Sequence, residues 1–76
     1  MSADNYIFID RYKKPIEVWH CVASQISDNI QDQKIEIIGK TKTLEEAIDL
    51  AEKFEKEARA DGYYVEYGIS FYLWWK

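Results

Sequence analysis

Cations stand at Arg11, Lys13 and Lys14 in the stretch RYKKP, at Lys40 and Lys42 in GKTKT, and at Lys76, two residues beyond Trp74. These residue types bind phosphate, ammonium as a point charge and guanidinium through its planar fork. A ring beside them adds a stacking surface for a nucleobase. Brought to one place, Arg11, Lys13, Lys14, Lys40, Lys42, Lys76 and Trp74 would suit a nucleotide signal, a single-stranded nucleic acid or another phosphate ligand. Scattered over separate turns, the same lysines would only keep the protein soluble. Their meaning therefore depends on the elements that carry them.

Catalytic chemistry has less to build on. His20 is the one histidine, and within IEVWHCV it alternates with Ile16, Val18 and Val22. That pattern reads as a half-buried sheet position. Cys21, the one cysteine, follows directly and so points to the opposite face of a strand. A Cys–His dyad is out of reach, and the thiol has no evident activator. A metal site needs several His, Cys or carboxylate ligands at converging spacings, and the sequence offers none. No serine sits in an elbow motif. GKTKT does not complete the G-x-x-x-x-G-K-[ST] pattern of a phosphate-binding loop. The chain is expected to act by binding, without catalysis, metal or cofactor.

The elements follow from periodicity. Asn5 to Tyr12, NYIFIDRY, is dense in aromatic and β-branched residues and predicts a strand, which Pro15 and its lysines end. Ile16 to Ser24 predicts a second strand, with Glu17, Trp19, Cys21 and Ala23 opposite His20. The polar stretch QISDNIQDQ, with its turn pair Asp28-Asn29, leads to a third strand from Lys34 to Lys40. Thr43-Leu44-Glu45-Glu46 then fits a capping box, and Leu44, Ala47, Ile48, Ala51, Phe54 and Ala58 recur at helical spacing. Gly62 suits the left-handed position just past a helix. From Tyr63 onward the alternation returns without a slip, with Val65, Ile69, Phe71 and Trp75 on one face and Tyr72 and Trp74 on the other. That phase predicts one long strand, with Gly68 as the place for a bend or bulge.

The order β-β-β-α-β, in a single domain of 76 residues, predicts a two-layer α+β fold. Three strands on short connections form an antiparallel meander. The helix returns the chain by a right-handed crossover, so strand four lies parallel to strand one and the sheet order is 3-2-1-4. This topology carries every cation named above to one end. The helix begins there too, and near Thr43 it would offer free amides and the positive end of its dipole. One helix covers one face of the sheet. On the other, Tyr72 and Trp74 would be joined by Trp19 and by Phe8, if strand one turns Tyr6 and Phe8 that way rather than Ile7 and Ile9. Contiguous apolar surface of this kind marks an interface. A homodimer through it would enlarge the core of a chain short enough to bury only about 60% of its unfolded surface.

The 14 acids and 10 bases give a net charge of −4. Residues 43–61 hold seven of the acids and three of the bases, so the whole net charge lies there and the rest is balanced. A low isoelectric point is thus compatible with a basic end. The lone cysteine permits no internal disulfide and suits a reducing compartment. MSADNY has neither a basic nor an apolar signal region, and no apolar run approaches the roughly 18 residues needed to cross a bilayer. A cytoplasmic protein with no membrane partner is expected.

The opening MSADNY, the short acidic chain and the helix TLEEAIDLAEKF resemble small phage and prophage proteins. Proteins of that kind often bind and block host machinery, defence systems included. The resemblance implies a stoichiometric inhibitor or sequestering protein in the host cytoplasm, with a host protein as its partner. It names no target and transfers no residue. Two functions follow. One is an inhibitor working through its aromatic face, or through an acidic helix that imitates nucleic acid. The other is a binder of an anionic ligand at the basic end.

Overall fold

In the computed structural model, which describes residues 5–22, 33–62, 65 and 68–72, the strand-forming runs become β1 (Asn5–Asp10), β2 (Ile16–Val22) and β3 (Lys34–Thr41). Helix α1 (Leu44–Ala60) and a short β4 (Ile69–Ser70) complete the order. β1 and β3 each pair antiparallel with β2, and β4 lies parallel to β1 through Ile7↔Ile69 and Phe8↔Ser70. The sheet order is β3-β2-β1-β4, so the chain is the expected α+β fold. No helix among the described residues is long and apolar enough to cross a membrane.

Packing settles which side of β1 meets the helix. Ile7, Ile9 and Val18 are fully buried in one cluster with Ala47 and Ala51 of α1. Each large aliphatic chain so buried stabilises the fold by about 1.5–3 kcal/mol. Alanines at the helix positions closest to the sheet let the two layers approach. Leu50, also on the sheet side, seats on Gly39, where an added Cβ would lie 2.8 Å from Leu50 Cδ2. Gly39 is therefore a docking point for the helix, inside β3 rather than closing it. Leu44, expected on the apolar face, is 36% exposed.

Helix α1 starts where its sequence says. The Glu46 N–H donates to Thr43 Oγ1 at 3.2 Å, and the Thr43 N–H donates back to Glu46 Oε1 at 3.2 Å. The two halves of a capping box satisfy donors that the first turn would otherwise leave open. At the far end the Gly62 N–H donates to Arg59 O at 3.0 Å, with Gly62 at φ +89°.

β3 is longer than the strand it pairs with. Val18 stands opposite Gly39 but Trp19 opposite Ile37, and His20 opposite Glu36 but Cys21 opposite Lys34. Ile38 and Ile35 are thus extra residues at two bulges. The bulges set the alternation so that Glu36 shares the helix side with His20, while Lys34 shares the other face with Cys21.

The long fourth strand is the expectation that fails. Gly68 lies at φ +68°, and its N–H donates to Val65 O at 3.1 Å, closing a turn. Its carbonyl accepts from the Ile7 N–H at 2.8 Å, which ties the turn to β1. After β4, the Ser70 hydroxyl donates to Tyr72 O at 2.8 Å and accepts from the Tyr72 N–H at 3.1 Å. Such local bonding competes with a strand ladder. Val65, Ile69 and Phe71 still pack on the helix side. Alternation reported the buried face correctly; it did not report extended backbone. Trp75 lies outside the described residues.

Candidate anion-binding site

The basic end is built by the β1–β2 connection. β1 stops because Asp10 turns the chain: Asp10 Oδ1 accepts from the Tyr12 N–H at 3.2 Å and Asp10 O from the Lys13 N–H at 3.4 Å. An aspartate bonding its own chain two residues on is a turn former. The Lys14–Pro15 peptide is cis, and β2 begins at Ile16, paired with Thr41 at the end of β3. The end of β3 is thereby set beside the turn. A cleft of about 420 Å³ results, lined by Arg11, Lys13, Lys14, Pro15, Ile16 and Lys42. Of the six described residues that line it, four are cations and none is an acid. All four are exposed, so their charges are solvated and screened by salt.

Arg11 is held in place. Its guanidinium carbon lies 5.3 Å from the Tyr12 ring centroid and 5.7 Å from that of Phe71, and Nη2 donates to the Tyr12 hydroxyl at 3.3 Å. The bond to Tyr12 is the main reason the guanidinium stays above its ordinary range, with Tyr72 a smaller contributor. Arginine stacked on rings is less free to swing, so less order is lost when it binds a ligand.

Four of the cations expected at this end, Arg11, Lys13, Lys14 and Lys42, thus line one cleft. Lys40 does not line it; it stands opposite Glu17 across the β2–β3 pair. Thr43 is also unsuited to an anion. Its N–H is taken by Glu46, and Glu45 and Glu46 make the first turn of the helix negative. The capping box that starts the helix closes the amide site expected there. Trp74 and Lys76 lie outside the described residues. Two residues missed in the sequence stand behind the site by holding Arg11, without lining the cleft: Tyr12, assigned to strand one, and Phe71, assigned to the core. Asp10 before Arg11-Tyr12 was the signal that the strand ends early.

The helix-free face differs from expectation in how much it exposes. Phe8 and Trp19 lie on it, paired across β1 and β2. Phe8 is only 7% exposed, and Tyr6 and Cys21 are fully buried. The Tyr6 hydroxyl donates to Gln33 Oε1. The Lys34 ammonium lies 5.0 Å from the Trp19 ring and 5.6 Å from that of Phe8. Phe8 therefore has little surface left for a partner, because cover within the chain already shields it. Tyr72 is 69% exposed.

At the opposite end of the helix a cleft of about 380 Å³ is lined by His20, Glu36, Phe54, Glu57, Asp61 and others. His20 Nδ1 is 3.7 Å from Glu36 Oε1, and its ring lies 5.3 Å from that of Phe54. Cys21 is on the other side of the sheet, its thiol pushed up to about 11, first by burial. No group of three or more metal-ligating side chains occurs among the described residues. Compared with known proteins, the chain matches no family model, and no curated protein or solved structure is similar to it.

Proposed function

We propose that this chain is a non-catalytic binding protein that takes an anionic, phosphate-bearing ligand at its basic end. The observation that carries the reading is the cleft of about 420 Å³ in which Arg11, Lys13, Lys14 and Lys42 meet, with no acid among the described lining residues. Small-molecule sites usually measure roughly 300–1,000 Å³. Binding rather than turnover is supported by the Cys21 thiol, buried and pushed up to about 11, which leaves it protonated and a poor nucleophile at neutral pH. Titration of the labelled chain with inorganic pyrophosphate tests the site. The amide signals of residues 11–14 and 42 should shift, with affinity falling as salt is raised. Lys13→Ala with Lys14→Ala should abolish the shifts, whereas Lys53→Ala with Lys56→Ala on the helix should leave them. Shifts that ignore the cleft lysines would refute the reading.

A second reading, a stoichiometric inhibitor of a host protein, is favoured by the exposed isoleucines of β3. Ile35 and Ile37 are 54% and 41% exposed on the edge strand. Aliphatic side chains held in water on a sheet edge are the chemistry of a protein contact. Imitation of nucleic acid by the helix has less support, because Lys53, Lys56 and Arg59 interrupt its acids on the solvent side. Ile35→Ser with Ile37→Ser should abolish capture of such a partner and spare pyrophosphate binding. Unchanged capture would refute it.

A further inference from the structure

We infer that the ligand of the basic cleft carries a planar ring as well as phosphate, and that it is a free nucleoside di- or triphosphate. The inference rests on the anion-binding reading of that cleft. Tyr12 and Tyr72 are the only large aromatics strongly exposed among the described residues, at 78% and 69%. Both flank Arg11. Tyr12 bonds it, and Tyr72 follows Phe71, whose ring Arg11 also meets. Tyr12 thus stands against the cleft's arginine, and Tyr72 is the neighbour of the second ring that arginine meets; neither ring lines the cleft itself. Rings beside cations are the arrangement that stacks a base while the cations hold its phosphates.

Charge selects a short ligand over a long strand. The four cleft cations contribute +4 to a chain of net charge −4, so the remainder carries −8. A polyanion running beyond the cleft would meet this negative remainder and be repelled. A di- or triphosphate brings a charge that four cations can match and ends within the cleft.

The experiment compares inorganic pyrophosphate, ADP and a ten-nucleotide thymidine oligomer by calorimetry on the intact chain. ADP should bind about five- to 150-fold more tightly than pyrophosphate, the range expected for one stacked base. Tyr12→Leu should remove most of that advantage; because Tyr12 also steadies Arg11, pyrophosphate affinity should fall as well, but by a smaller factor than ADP affinity. Tyr12→Phe, which keeps the ring, should retain the advantage. Tyr12 is exposed, so neither variant should impair folding. Equal affinities for ADP and pyrophosphate, or an ADP advantage that Tyr12→Leu leaves intact, would overturn the ring and leave the anion site standing. No binding of either would overturn both. An oligomer that binds more tightly than ADP would overturn the free nucleotide in favour of a strand.

Discussion

Replacing Gly68 by alanine separates two backbones through the sign of the stability change. In the structure Gly68 is at φ +68°, and a Cβ added there meets nothing within 4 Å. No clash contributes, so the effect is backbone alone. A residue with a Cβ in the left-handed region costs about 1–2 kcal/mol. The lower entropy of unfolded alanine offsets about 0.4–1 kcal/mol of that. The net expectation is a loss of about 1 kcal/mol. Had the segment been one continuous strand, glycine would have been the poor residue there, and alanine would have stabilised by about 0.5–1 kcal/mol. Urea unfolding followed by tryptophan fluorescence reads the difference. With a slope of about 1 kcal/mol per molar for a domain this size, the midpoint should fall by about 1 M. Gly68→Asn should fall less, since asparagine tolerates the left-handed region. A midpoint that rises in Gly68→Ala would refute the turn and restore the long strand.

Other substitutions test the core, the cap and the buried thiol. Ile9→Ala, at a fully buried site against α1, should cost about 2–4 kcal/mol, enough to leave much of so small a domain unfolded at 37 °C by calorimetry. Thr43→Ala should cost about 1 kcal/mol of helix stability in thermal melts and leave pyrophosphate affinity unchanged, because the capping box and not the cleft uses that residue. Cys21 titrates near 11 in the fold against an ordinary value near 9. Between those values the folded chain keeps a proton that the unfolded chain releases, so stability should fall as pH rises through the window. Cys21→Ala should remove that decline in urea midpoints measured from pH 8.5 to 11, and alkylation of native Cys21 at pH 7.5 should run well below the rate in urea.

How much was legible depended on which physics fixed each feature. The helix boundaries were readable because Thr43, Glu46 and Gly62 act locally. The strand order followed from connection lengths and one helix. The basic end was legible as an address, since topology alone brings the first turn and the end of β3 together. Its membership was not. Lys40 fell away because the β2–β3 register sets it against Glu17, and Thr43 because its own cap consumes its donor. The exposure of the helix-free face was unreadable for a similar reason. Phe8 is buried among Tyr6, Cys21 and Trp19, and two bulges set Lys34 on the same face; no alternation rule counts an inserted residue. Gly68 was legible as the place of a bend, but the shortness of β4 was not, because the turn preserves the inward phase of Val65, Ile69 and Phe71.

The two extra residues of β3 bear on how this molecule meets others of its kind. β3 is a border of the sheet, and a border of regular backbone groups invites a neighbour to zip on and propagate into fibres. Ile35 and Ile38 break that regularity at two points, so two copies laid edge to edge cannot keep their inward and outward residues in step. Greasy side chains can then stand at the rim without seeding a ribbon. Trimming Ile35, which is exposed and outside the core, would remove one irregularity of the rim, and loss of solubility with an unchanged urea midpoint in that deletion would be the sign that irregularity had been keeping the copies apart.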